Sequence, residues 1–522
     1  MQNPSSPRIL FNWDGGPLAF GEYPMSKEEF LGYIFDPFEG SHVDAILWCT
    51  GDTVLDVPSR MGNTEADLSV ESFSGSPSSY RRAMNARHLI ERGEEPLKII
   101  TQEAHRRGMS SYASFRLNDV HDSIPFRDKS VDTNKLAPIK RENPHWMLGH
   151  ERRKTLPTAF DYGQREVRDW WLERVCEPYE KYDLDGIELD FCRQQCFFAD
   201  RQEYRHRYLL TDWLARVRER LTELGAKRGR PITVAVRVDE TLEACHLDGF
   251  DLEEWIEQEL FDILILGTGT IEYDLERFGR VVADRSIADR PIAIYPCIYG
   301  WAYGQAFGPK PIEEIRAEAA RHWLQGADGL YCFNMFPVVD QRWPEQCVSP
   351  ATFREIGDPL TLEGKDKCYQ VCKGRTNDEY YPYNDLWGML PLELHTTYSG
   401  VGPNLRVFVA DDIENAQEAG KLAKLQLRCR FQNVSPTDAC RFILNGRQLD
   451  GPSRTHPLAM KAHGTTLVDA AGQEWQTLDI PPKTLRRGWN EVGIGLLERT
   501  ALRVPLKLAE VQITVTYSKD EA

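Results

Sequence analysis

Two carboxylates stand two residues apart in the stretch Leu184–Cys192, LDGIELDFC, among Ile, Leu and Phe. Alternate side chains of a strand face opposite ways. Ile187, Leu189 and Phe191 therefore form one face, and Glu188 and Asp190 the other. An ionised carboxyl buried without a partner is costly, and two are worse, so such residues persist where they meet water, cations, protons or a substrate. Two carboxyl groups flanking a cleft can cleave a glycosidic bond. One protonates the leaving oxygen; the other attacks the sugar carbon or activates water. Asp190, nearer the strand end, is the expected nucleophile. Glu188 is one candidate partner, but two residues along one strand lie about 6.7 Å apart at Cα and approach from one side. An acid from the next strand fits better, and Asp239 or Glu240 in ITVAVRVDE supplies it. The competing reading is ion pairing with Arg116 or Arg237, on the inward faces of neighbouring runs.

The elements that must position these acids recur eight times. The runs RILFNWD, VDAILWCTGD, GMSSYASFRLND, DGIELDF, ITVAVRVDE, FDILILGTG, PIAIYPCIYG and GADGLYCFNMF are short, apolar and flanked by Gly, Pro or Asp. Near-continuous apolar runs are expected of parallel strands covered by helices. Helical patterns lie between them: Tyr80–Arg107, Glu166–Tyr179, Arg201–Arg228 and Pro311–Gln325, the last with Pro311 suited to a first helical position and Gly326 to a cap. Strand and helix in alternation predict a (β/α)8 TIM barrel. Asp44, Asp185, Asp262 and Asp328 each begin a run, an internal echo that predicts one shared turn role.

In such a barrel the strand ends carry the chemistry. They offer Asp14, Arg116, Asn118, Asp119, His121, Arg237, Tyr299 and Asn334 as substrate-binding candidates. Trp13, Trp146, Trp301 and Trp343 fall at strand ends or in the loops that follow, and flat rings with polar edges suit the C–H faces of sugars. Trp301 lies in YGWAYGQAFG, whose glycines let a loop bend close to a ligand. The insertions Val54–Ser79 and His121–Tyr162 also belong to the catalytic face.

Beyond about Pro350 the period becomes two. LQLRCRF and VQITVTY alternate apolar and polar residues, and Asn445-Gly446 is a hairpin signal. This predicts an antiparallel β-sandwich, with the barrel over 1–360 and linker plus sandwich over 361–522. Gly364–Tyr383 reads either as linker or as a segment packed back on the barrel.

A formal net charge of −17 argues against a nucleic-acid or anionic-membrane partner. The start MQNPSSPRILFNWDGG lacks the basic and apolar regions of an export signal, and no apolar run approaches about 18 residues, so a soluble, cytoplasmic chain is expected. A homo-oligomer is compatible with the sequence. No nucleotide cofactor is expected, since LGTGT lacks the full dinucleotide pattern. A divalent metal is a second way to use the acids, with Asp14, Asp119, His121, Glu188 and Asp190 as donors, although HExxH is absent.

With YDLDGIELDF, SFRLNDVHD and AFDYGQREVRDWW together, the chain resembles the glycosyl-hydrolase-like 10 class of bacterial barrel proteins over roughly Arg8–Pro337. It is similar, more distantly, to α-amylase-type barrels, whose fourth strand ends in Gly-x-Arg-x-Asp with the Asp as nucleophile. Gly186, Glu188 and Asp190 hold those places here, with Glu188 in place of the arginine. The resemblance implies carbohydrate hydrolysis, a nucleophilic Asp190 and an acid on the fifth strand. A noncatalytic carbohydrate-binding barrel, its carboxylates only hydrogen-bonding sugar hydroxyls, is the alternative.

Overall fold

The computed structural model describes residues 7–14, 16–50, 57–61, 77–120, 122, 136–153, 156–267, 272–285, 292–300, 310–337, 347–373, 387–396, 403–456, 460–461, 467–468, 473–499 and 504–518. Eight parallel strands close into a barrel in sequence order. They are β1 (Ile9–Trp13), β2 (Val43–Cys49), β3 (Ser110–Arg116), β4 (Gly186–Asp190), β5 (Thr233–Val238), β6 (Ile263–Leu266), β7 (Ala293–Tyr299) and β8 (Leu330–Phe333). Each falls within one of the eight apolar runs, because a strand covered on its outer face and packed within gains from apolar side chains along its length.

The register stacks the inward side chains in layers. Arg116, Asp190 and Arg237 form one row across β3, β4 and β5. Ser114, Glu188 and Ala235 form the row beneath.

The repeated Asp has a more specific role than a turn. Asp44, Asp185, Asp262 and Asp328 accept the backbone N–H of Arg8, Ser111, Val234 and Ile294 at 2.8, 2.8, 2.8 and 2.9 Å. Each carboxylate thus latches its strand to the start of the preceding neighbour and satisfies an N–H at the barrel rim. The glycines after two of them allow a close approach. A Cβ on Gly186 would lie 2.2 Å from the Tyr112 ring, and one on Gly329 2.2 Å from Tyr295.

The pattern over Tyr80–Arg107 forms two helices, Pro77–Glu91 and Pro96–Arg106, instead of one. Gly93 takes a left-handed φ of 76°, and Pro96 lacks the N–H that a continuing helix would need. Helix Glu203–Arg228 follows β4, and helix Ile312–Leu324 leads into β8, with Pro311 at its cap instead of its first turn.

The C-terminal region packs two antiparallel sheets. Leu506–Tyr517 pairs with Leu422–Gln432 in one, and Gly488–Glu498 with Ala439–Leu444 in the other. Leu427, Cys429, Phe431, Val511 and Ile513 turn inward against Phe442, Val492 and Ile494. Asn445 and Gly446 adopt φ of 49° and 81° between the strands Ala439–Leu444 and Arg447–Leu449, as a tight hairpin requires. Lys367–Cys372, inside the stretch read as linker or barrel packing, is a strand on Leu506–Tyr517. The sandwich leans on helix Ile312–Leu324, where Gln370 donates to Glu314 at 2.9 Å and Arg321 lies over the Phe408 and Trp489 rings. No described helix is long and apolar enough to cross a membrane.

Candidate active site

Glu188 and Asp190 point into the barrel but meet different partners. Asn12 Nδ2 donates to Glu188 Oε2 at 2.7 Å, and Tyr331 OH donates to Oε1 at 2.6 Å. Burial, and then the charge of Asp190, push Glu188 up to about 7, against the pull of Arg237, Ser114 and Tyr331. It is a core acid held by uncharged donors, not the arginine ion pair that the competing reading requires.

Asp190 has that arginine. Arg237 Nη1 donates to its Oδ2 at 3.2 Å, and the Cys192 N–H donates to Oδ1 at 2.9 Å. Position 188 carries a carboxyl where the Gly-x-Arg-x-Asp pattern has arginine, and the guanidinium at Asp190 comes from the next strand instead. Arg237 is fixed by Gly267 O at 3.1 Å and by the Phe333 ring, 4.0 Å from its guanidinium. Burial opposes its charge, but Asp190 and its other neighbours outweigh that and hold its proton firmly.

Asp239 is the fifth-strand carboxyl on the same side. Gln195 Nε2 donates to its Oδ1 at 2.6 Å, and Cys192 Sγ lies 3.8 Å from the same oxygen. Because Cys192 touches both acids, the carboxyl groups of Asp190 and Asp239 are separated by about 10 Å or less. Burial raises Asp239 to about 6, with Gln195 and then Asp248 working the other way. Glu240, of opposite parity, interacts with Tyr273 and Cys245 instead. All four acids are buried, at 0–1% exposure.

Around them, Arg116 pairs with both Asp14 and Asp119, the latter at 2.8 Å. Arg193 approaches Asp119 at 3.7 Å, and burial followed by the Arg193 charge lowers Arg116. Asn334 donates to the Tyr299 hydroxyl at 3.0 Å.

Several expected site residues serve the scaffold. Asn118 spends its amide on Phe160 O, Cys196 O and the Phe160 N–H, so it braces the insertion after β3. Trp13 has outward parity and stacks on Phe336 at 5.9 Å, in the layer between strands and helices. Trp146 is half-buried against Trp170. His121, Trp301 and Trp343 lie outside the described residues. The acids of the metal reading are separately engaged: Arg116 takes Asp14 and Asp119, Arg237 takes Asp190, and neutral donors take Glu188. Among the described residues, no three or more His, Cys, Asp or Glu side chains converge as a metal site.

Sequence reading missed Asn12, Ser114 and Tyr331, although their inward parity on β1, β3 and β8 was a usable signal. It also missed Gln195 and Asp248, which reach the site from connecting segments without periodicity. A cavity of about 820 Å³ lies elsewhere, between helix Ile312–Leu324 and the sandwich, lined by Trp323, Leu360, Lys367, Asp411 and Tyr517. Burial also raises Glu314, beside the sandwich, to about 8, but Glu188 and Asp239 are perturbed acids at the end of the barrel where chemistry sits, so the candidate site is placed there.

No family model and no curated protein matches the chain. Among solved structures it is similar to the PgaB (BpsB) glycoside hydrolase domain from Bordetella bronchiseptica, at 12% identity and TM-score 0.40, over 67% of this chain and 98% of that one. It is similar to the maltogenic α-amylase AmyB from Thermotoga neapolitana at 11% identity and TM-score 0.39, over 94% and 99%. A chitinase from Chromobacterium violaceum follows at 9% identity and TM-score 0.35, over 67% and 99%. Likeness at this level does not bear on substrate or residue roles.

Proposed function

We propose that the protein is a glycoside hydrolase acting on an oligo- or polysaccharide through Asp190 and Asp239. The observation that carries this reading is the contrast between the two acids. Asp190 lies against a buried guanidinium, whereas Asp239 is buried beside another carboxyl and its proton affinity is raised. A carboxyl ion-paired with a guanidinium and a carboxyl whose proton affinity is raised by burial suit opposite roles. Asp190 acts as nucleophile or base, and Asp239 gives its proton to the leaving oxygen. With Asp190 in register with Arg237, Asp239 two residues on lies about 8 Å from Asp190 at Cα, compatible with carboxyl groups flanking a glycosidic bond. The glycosyl-hydrolase-like 10 resemblance supports the same substrate class. Asp14, Arg116 and Asp119, with Tyr299 and Asn334, would bind the sugar.

The test is Asp190→Asn, assayed on a panel of oligosaccharides with the fold followed by circular dichroism. Turnover should fall at least about 10⁴-fold with the fold retained. Undiminished turnover ends the nucleophile assignment. The noncatalytic carbohydrate-binding reading expects the wild-type chain to bind an oligosaccharide and cleave none.

A further inference from the structure

The short helix Leu242–Asp248 returns a third acid to the end of β5. Thr241, two residues past Asp239, caps it, its hydroxyl accepting the Ala244 N–H at 3.1 Å. Gly249 ends it in the left-handed region, at φ 85°, and a Cβ there would lie 2.7 Å from Glu203 O. The helix end is therefore pressed onto the start of helix Glu203–Arg228, and Asp248 is held inside at 1% exposure.

There its carboxyl lies beside that of Asp239, close enough for each to act on the other's proton. Asp239 Oδ2 and both Asp248 oxygens are buried, with no hydrogen bond from any N–H or ordinary hydroxyl among the described residues. A bond between two carboxyl groups needs a proton on one of them, since two adjacent buried anions repel with little screening. Asp239 already accepts from Gln195 on Oδ1. Asp248, with no donor of its own among the described residues, is the group placed to keep the proton and supply the hydrogen.

We infer that Asp248 is a positioning residue that stays a neutral acid and donates its proton's hydrogen bond to Asp239. This rests on the reading of Asp239 as the acid of the hydrolysis. In that step the Asp239 proton goes to the glycosidic oxygen, which also takes the electron pair of the breaking C–O bond. The Asp239 carboxylate left behind is then held by two waiting donors, Asp248 O–H and Gln195 N–H. Burial, and then the Asp239 charge, push Asp248 up, while Arg153 pulls down. Glu203, Cys196, Cys245 and Glu240 also face this pocket, and Cys192 and Arg237 face Asp239 from the other side.

Asp248→Asn and Asp248→Ala separate the outcomes, because Asn keeps a neutral donor and Ala does not. The alkaline limb of the pH–rate profile should stay in place in Asp248→Asn and move up by about one pH unit in Asp248→Ala. A downward shift in both variants would mean that Asp248 is ionised and would overturn the inference. If Asp248→Ala fails to fold, infrared spectroscopy decides without it. At pH 8 the wild-type spectrum should hold a protonated-carboxyl band that Asp248→Asn lacks, and identical spectra there also overturn it. The infrared result needs no turnover, so it stands even where the hydrolase reading fails on every glycan.

Discussion

Two of the buried charge networks, one where the sandwich begins and one at the barrel mouth, are built differently. Where the sandwich begins, Asp411 Oδ1 accepts from Lys367 Nζ at 2.8 Å and from Tyr517 OH at 2.7 Å, and Oδ2 accepts from Tyr369 OH at 2.7 Å. Lys367 spends its other donors on Leu362 O and Lys365 O. Charges and donors match, so this network is a strut. At the barrel mouth, the carboxyl groups of Asp239 and Asp248 adjoin, Asp239 Oδ2 lacks an N–H donor among the described residues, and Glu188 and Asp239 hold protons above the usual carboxylate range. A fold tolerates such a network at a cost that a strut would avoid. On the proposed reading, the contrast separates acids kept for structure from acids kept for chemistry.

That contrast can be broken most directly at Asp239. Asp239→Asn should lower turnover about 10²–10⁴-fold, the range for loss of a general acid, and substrates with a good leaving group should recover most of it. Equal loss on good and poor leaving groups would remove Asp239 from that role. The matching change in the strut, Asp411→Ala, should leave specific activity alone and destabilise the fold by about 3–5 kcal/mol, read from denaturant unfolding. A fall in activity at unchanged stability would mean that the two networks are not separate in function.

The barrel was legible because its signal is local. Each parallel strand is an apolar run bounded by Gly, Pro or Asp, and the alternation of faces places Glu188, Asp190, Arg116 and Arg237 inward on neighbouring strands. The same rule, applied to β1, would have turned Trp13 outward and Asn12 inward. What parity cannot reach is a side chain that returns from a connection. Asp248 lies nine residues past Asp239, and only the cap at Thr241 and the left-handed turn at Gly249 bring it back. Asn118 has the right strand and the wrong use, because the insertion after β3 needs its amide for backbone groups. Which partner each acid meets depends on contacts across the barrel, such as Asn12 and Tyr331 with Glu188, and those have no sequence period.

The smallest effect sharpens the comparison within the mouth itself, between the two acids of β4. Glu188 binds its proton up to about 7 in the folded chain, against an ordinary 4.5. A carboxyl raised on folding adds stability while it is protonated, below about 4.5, and that contribution is lost as pH climbs toward 7. At about 1.4 kcal/mol per pH unit, the loss is about 3 kcal/mol at most. Glu188→Gln removes the titration and can keep the contacts, its carbonyl accepting from Asn12 and its amide donating to the Tyr331 hydroxyl. The variant should therefore lose less stability than the wild type between pH 4.5 and 8, with the curves diverging through that window in urea titrations. Parallel curves would show that Glu188 is ionised in the fold, a buried anion held by the uncharged donors Asn12 and Tyr331.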